Sequence, residues 1–349
     1  MRFDPTRQRL RCAACLGEQA VDSPDASALA AALAEHDYAR YLALRAGAEP
    51  AIAPQVVGCP QCGARCEFPA HVVAAPCAFC GTPLQADQAQ HERLIRPHGL
   101  LPFRLDDAAA RAAFAAWLHS RWFAPSALKD LVKRPDAGRG VYLPAWTFDA
   151  HSHSRYQGER GRHRQVSQTR QNAQGQTVTE TRTVTDWSPV QGELELQFDD
   201  ELVPASGSLP AAGLSALNGL DLHGLQPCDS DYQAGFSVEA YQLGLQPAFE
   251  QARVRFSARI EAAVRRDIGG DDQRVHRVDT AYDAIRFRHL LLPVWLYSYR
   301  WQGRLMQVVV NGQNGAVAGE RPWSGWKIAG AVLGLGLLAL GLWWLNQGA

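Results

Sequence analysis

The chain of 349 residues has no surplus of either charge: 35 basic residues meet 35 acidic ones. A protein that lives on nucleic acid usually carries a basic excess, so the balance weighs against that role. Lysine is scarce, with Lys129, Lys133 and Lys327 the only three. The start, Met1-Arg2-Phe3-Asp4-Pro5, lacks an apolar core of signal-peptide length. The body is therefore expected in a reducing compartment. No Gly-x-x-x-x-Gly-Lys-Ser/Thr loop occurs, no His-Glu-x-x-His and no Gly-x-Ser-x-Gly. The first absence argues against an ATPase or helicase of the phosphate-loop type, and the others remove two common hydrolase sites. No reaction mechanism is legible, and the chain reads as a non-enzyme.

What is present begins with cysteine. Six of the eight cysteines form three Cys-x-x-Cys pairs. Without a secretory signal, that pattern favours metal over disulfide. Cys59-Pro60-Gln61-Cys62-Gly63 and Cys77-Ala78-Phe79-Cys80-Gly81 stand 14 residues apart. A tetrahedral zinc takes four soft ligands, two from each of two tight turns. The glycine after each pair allows positive φ. Cys59, Cys62, Cys77 and Cys80 are thus the expected ligands of one structural Zn2+. A rubredoxin-like iron or a redox dithiol is the alternative. All four positions would be filled by protein, which is the non-catalytic form of zinc site. Arg65 to Val73 is expected to form a short hairpin between the knuckles. Cys66 is a fifth, spare thiol, and Cys228 reads as a core residue. Cys12-Ala13-Ala14-Cys15 is a third knuckle without a partner. Cys12 and Cys15 are an additional candidate metal pair, open to completion by another subunit.

The length and the 46% apolar content suit two or three globular units. Residues 1–20 read as an incomplete ribbon, 21–50 as a helix centred on Ser27 to Arg45, and 51–88 as the four-cysteine zinc ribbon. Residues 89–138 hold a linker and helices. One helix runs from an Asp106 N-cap to His119, and a short one from Pro125 to Lys133. Residues 139–323 alternate as strands, with a long exposed hairpin arm whose tip is Asn172 to Gly175. A helix from Pro247 to about Asp267 is ended by Gly269-Gly270. An internal echo stands out. Leu143-Pro144-Ala145-Trp146-Thr147-Phe148 leads to Gln157-Gly158, and Leu292-Pro293-Val294-Trp295-Leu296-Tyr297 leads to Gln302-Gly303. Each copy is expected to end in a Gln-Gly turn. The predicted fold is α+β: a small four-cysteine zinc ribbon, a helical connector, and a β-rich body duplicated around a long helix.

The last segment, residues 324–349, predicts one C-terminal transmembrane helix. Ile328 to Leu345 is 18 residues without charge, flanked by Trp323, Trp326, Trp343 and Trp344. At about 27 Å it approaches the hydrocarbon thickness of about 30 Å. Arg321 and Lys327 precede it, which by the positive-inside rule places the body in the cytoplasm. The expectation is a single-pass inner-membrane protein that contacts the lipid bilayer. Gly330 and Gly334 offer a close helix approach for a homo-oligomer.

Other constellations are weaker. Asp149, His151, His153 and His163 form the only histidine cluster, and a His-x-His on a strand puts both rings on one face. Arg155 to Arg182 holds six arginines beside Glu159 and Glu180. Asp271 and Asp272 follow the long helix and read as a turn or a cation site.

At these residues the chain resembles a family of bacterial membrane-anchored, TFIIB-type zinc-ribbon proteins. Members are often labelled primosomal protein N′ (replication factor Y), superfamily II helicase, on the strength of the cysteine knuckles alone. The resemblance rests on the ribbon, Leu101-Pro102-Phe103, Ser120-Arg121-Trp122-Phe123-Ala124-Pro125, Gly140 to Phe148, Phe198-Asp199-Asp200, Arg266 to Asp271, Leu291 to Trp295, Val310-Asn311-Gly312 and the terminal segment. It implies two ribbons per chain. Phe3-Asp4-Pro5 through Cys15 is similar to the second half of the first ribbon, whose other knuckle is missing here, either lost in this lineage or lying upstream of the start. It further implies a scaffold beside flotillin-like or phage-shock-type envelope proteins. The expected function is a membrane-tethered, non-catalytic adaptor with a protein partner. A replication-linked nucleic-acid binder and a metal-dependent enzyme are the alternatives.

Overall fold

The computed structural model describes residues 1–22, 25–44, 51–120, 138–171, 177–320 and 325–347. Alternating patterning from residue 138 onward produces its longest elements. These are the strands Gly138–Gln171, Thr177–Pro204 and Asp272–Trp301. The first lies antiparallel between the other two. At about 3.3 Å per residue it extends on the order of 110 Å. It is the centre of a 12-stranded sheet.

The two Leu-Pro-x-Trp copies pair with each other. Leu143 faces Leu292, Tyr142 faces Pro293 and Pro144 faces Leu291. Leu143 and Leu292 hold the same place in each copy, so a local pseudo-twofold axis passes between them. Each copy then folds back on a return strand, Ala145 against Pro204 and Val294 against Asn311. Each proline carbonyl accepts from that return: Ala205 N–H to Pro144 and Gly312 N–H to Pro293, both 2.9 Å. Each tryptophan is buried and donates Nε1–H to a backbone carbonyl, Trp146 to Leu243 (2.8 Å) and Trp295 to Leu105 (2.9 Å). A helix precedes each copy, Asp107–His119 and Leu245–Ile268. The first is capped by Asp106, which accepts from Ala109 N–H at 2.8 Å. The second ends at Gly269, whose φ of 65° needs glycine.

The copies part at the Gln-Gly pair. Gln302 and Gly303 have φ of 49° and 80° and make the expected tight turn. Gln157-Gly158 does not turn. The strand runs on through a bulge there, and a Cβ on Gly158 would lie 2.4 Å from the Arg274 carbonyl oxygen. The glycine serves close strand approach, and the first copy continues into the arm, with Gln171 opposite Thr177.

The sheet has two differently covered faces. Val141, Leu143, Ala145, Leu290, Leu292 and Val294 join a core that includes Cys59, Cys66, Cys77 and Phe79. On the other face Tyr142, Trp295 and Tyr297 pack with Phe114 and Leu118 of the 107–119 helix. Trp146, Phe148 and Phe287 pack with Phe249, Phe256 and Ile260 of the long helix. The knuckles and the two helices thus lie on opposite faces of the duplicated sheet.

Several sequence expectations need correction. Among the described residues no helix is long and apolar enough to cross a membrane. This overturns the expected transmembrane anchor and the single-pass inner-membrane placement that rests on it. The segment does form a helix, Gly325–Gln347. The helix expected over residues 27–45 is broken into Ala26–Ala32 and Tyr38–Ala43. Between them His36 and Asp37 pair with Phe287 and Arg286 at the sheet edge, so tertiary pairing overrides helix propensity. Arg65–Phe68 pairs with Gln55–Gly58 rather than folding onto residues 69–73. The knuckles themselves are the hairpin turns. The Pro125–Lys133 helix, the Asn172–Gly175 tip and Arg321–Trp323 lie outside the described residues.

Candidate metal centre

Each knuckle is a hairpin turn with one hydrogen-bond scheme. Cys59 N–H donates to Ala64 O (2.8 Å) and Gly63 N–H to Cys59 O (2.9 Å). Cys77 N–H donates to Thr82 O (2.8 Å) and Gly81 N–H to Cys77 O (2.9 Å). Gly63 and Gly81 take φ of 76° and 81°, which lets the chain double back behind the thiols. The four sulfurs of Cys59, Cys62, Cys77 and Cys80 lie within 4.8 Å of one another, a group able to hold a metal ion. Cys59 Sγ is 3.5 Å from Cys80 Sγ, and Cys62 Sγ is 3.7 Å from Cys77 Sγ. Burial pushes the Cys59 and Cys62 thiols up, whereas hydrogen bonding from Cys66 pulls Cys77 down to about 4, with help from the Phe79 and Cys80 amides.

The second knuckle is bolted to the body. Phe79 is fully buried in the core beneath the sheet. Its carbonyl accepts from Gln307 Nε2 at 3.2 Å and from Ser298 Oγ, both on body strands. Arg139 Nη1 donates to the carbonyls of Cys77 (3.0 Å) and Pro76 (3.2 Å). The first knuckle is tied by pairing. Its strand Arg65–Phe68 joins Ser237–Glu239, which lies parallel to Val141–Tyr142. Cys66 sits at that junction, buried opposite Glu239.

Cys12 and Cys15 form a third knuckle away from this centre, without a further His, Cys, Asp or Glu close enough to complete a metal-sized group among the described residues. Cys228 is half-buried at the edge of the helix-side core, accepting from Gln233 Nε2 at 3.2 Å. The histidine cluster is split. His151 and His153 share an exposed strand face, and His153 sits 3.0 Å from both Glu195 and Asp283. His163 lies elsewhere, 2.7 Å from Asp272, while its backbone N–H donates to Asp271 at 2.7 Å. Asp271 and Asp272 therefore staple the turn after the long helix to the central strand.

Asp149 leaves the histidines for a cluster that sequence reasoning missed. Its carboxylate, that of Glu35 and that of Asp200 lie within 4.8 Å of one another. Arg288 faces them, 3.4 Å from Glu35 and hydrogen-bonded to Asp200. Burial, then the hydrogen bond and charge of Asp149, push Glu35 up to about 7. Three positions far apart in the chain converge only through the 36–37 strand pairing and the bulge at Asp149, and no local spacing announces them.

No family model matches the chain, and no solved structure matches it. The chain is similar to an uncharacterized protein of Bacillus subtilis (strain 168), YdjG, with 24% identity over 241 residues. The match covers 67% of this chain and 66% of that protein, so the chain spans just under two thirds of that relative's own length.

Proposed function

We propose that this chain is a non-catalytic scaffold protein in which one structural zinc ion staples a four-cysteine ribbon onto a duplicated β body. The observation that carries the reading is the bolting of the second knuckle, with buried Phe79 and the carbonyls of Pro76, Cys77 and Phe79 held by body residues. A zinc tetrahedron with bonds of about 2.3 Å has edges of about 3.8 Å, and the sulfur contacts of 3.5 and 3.7 Å fit it. Four protein ligands leave no open coordination position for a substrate, which supports a structural role. The resemblance to TFIIB-type zinc ribbons points the same way.

The adaptor half of the reading rests on the arm. Beyond the body, residues 162–171 and 177–186 form a two-stranded ribbon with polar exposed faces, more strand than a core needs. A long polar blade suits a protein partner. Replacing residues 165–183 with a short turn, which keeps His163 and its bonds to Asp271 and Asp272, is expected to leave zinc content and melting temperature unchanged while removing the partner recovered by cross-linking and affinity purification of the full chain. Partner recovery that survives the replacement would overturn the adaptor reading. Binding to DNA or RNA that falls steeply with salt would favour a nucleic-acid role instead.

A further inference from the structure

The third knuckle repeats the geometry of the two that build the metal centre. Cys12 N–H donates to Gly17 O at 2.9 Å, and Leu16 N–H donates to Cys12 O at 3.0 Å. These are the same two bonds, at the same spacing, as those of Cys59 and Cys77. The flanking strands also match. Arg11 pairs with Glu18 as Gly58 pairs with Arg65 and Pro76 with Pro83. The knuckle is held rigidly. Phe3 and Leu10 are buried in the helix-side core, and Gln8 Nε2 donates to Phe103 O at 2.7 Å. Amides of Cys15 and Ala14 hydrogen-bond to the Cys12 sulfur. Two soft ligands are therefore preorganised on a firm base.

Two features distinguish this knuckle. Its sulfurs face outward, with Cys15 exposed and Cys12 partly so. Position 16, where the other knuckles carry glycine, holds a leucine at φ of 59° whose side chain is 60% exposed. A leucine in the left-handed region is uncommon, and here it projects an apolar side chain from the tip of a metal-type turn. Gly17 keeps the space beside the thiols open, since a Cβ there would meet Cys15 Sγ at 3.3 Å.

We propose that Cys12 and Cys15 of two copies of this chain together hold one zinc ion, forming a shared four-thiolate centre across a twofold axis, with Leu16 of each copy buried at the junction. The four thiols release their protons to solvent as the metal binds, and no electron is transferred. The site is separate from the Cys59–Cys80 centre and does not depend on it.

The test uses the full chain under reducing conditions with zinc sulfate, reading metal by elemental analysis and mass by native mass spectrometry. The expected result is a dimer with about three zinc ions per two chains, given one ion per set of four thiolates. Cys12→Ser with Cys15→Ser is expected to give a monomer with about one zinc per chain and an unchanged melting temperature. Leu16→Gly preserves the turn and is expected to weaken the dimer roughly tenfold or more, in keeping with burial of an apolar side chain. Loss of zinc at the other centre alone, by Cys59→Ser with Cys62→Ser, is expected to leave the dimer and its shared ion, which separates the two sites. A monomer with about one zinc per chain in the unmodified protein would overturn the proposal. So would a dimer that survives the double serine variant, or a Cys12–Cys15 disulfide in zinc-saturated protein.

Discussion

Glu35 shows how one side chain can carry a measurable signature. Its carboxyl is pushed up to about 7 by burial and by Asp149, against about 4.3 in an unfolded chain. A raised acid contributes stability that is complete below the unfolded value and is lost as pH rises through the folded one. Relative to Glu35→Gln, the unmodified protein is therefore expected to lose melting temperature from pH 5 to pH 8, as read by thermal denaturation of both proteins across the range. Equal slopes would refute the assignment. His98 and His289 act in the opposite sense. Burial holds them down at about 3 and about 4, so their contribution is lost as pH falls below about 6.5. The four-cysteine cluster was legible because spacing and the following glycines are local signals. The Glu35–Asp149–Asp200 cluster was not, because Asp149 reads as a neighbour of His151 and His153 until the bulge turns it away from them.

At the scale of elements, the duplicated Leu-Pro-x-Trp strand was readable as an echo, but its pairing across a pseudo-twofold was not. Nothing local says that two distant copies will lie antiparallel with Leu143 opposite Leu292. The same holds for the Gln-Gly pair, where identical residues make a turn at Gln302-Gly303 and a bulged strand at Gln157-Gly158. The neighbour decides. Arg274 crosses close to Gly158, whereas Gly303 has open space around it. Gly158→Ala is expected to cost about 1–3 kcal/mol through overpacking. Gly303→Ala is expected to cost on the order of 1 kcal/mol through its positive φ alone. Denaturant unfolding of both variants checks the ranking, and a larger loss at Gly303 would contradict it. The pseudo-symmetry makes a second prediction. Trp146→Ala and Trp295→Ala should each cost about 3–5 kcal/mol, because each removes a buried indole and orphans a carbonyl, Leu243 or Leu105. Retention of near-native stability in either variant would show that the copies do not share the load.

At the scale of the whole molecule, the described residues form a sheet with the cysteine knuckles on one face and helices on the other. The sequence divides it into ribbon and body, because cysteine knuckles and alternating strands have different local signatures. Folding merges them, since Gln55–Gly58 and Arg65–Phe68 extend the main sheet through Ser237–Glu239. The C-terminal segment was over-read from its apolar run, and among the described residues no helix meets the requirement for crossing a membrane. The central claim is that a zinc ion at Cys59, Cys62, Cys77 and Cys80 secures the body as well as the ribbon. Hydrogen exchange of the zinc-loaded chain, before and after chelation, tests it most directly. The account predicts about one chelatable zinc at this centre and faster exchange, after its removal, in body residues 139–148 and 290–298. Exchange that quickens only within residues 55–91, or purified protein that carries no zinc there, would contradict it.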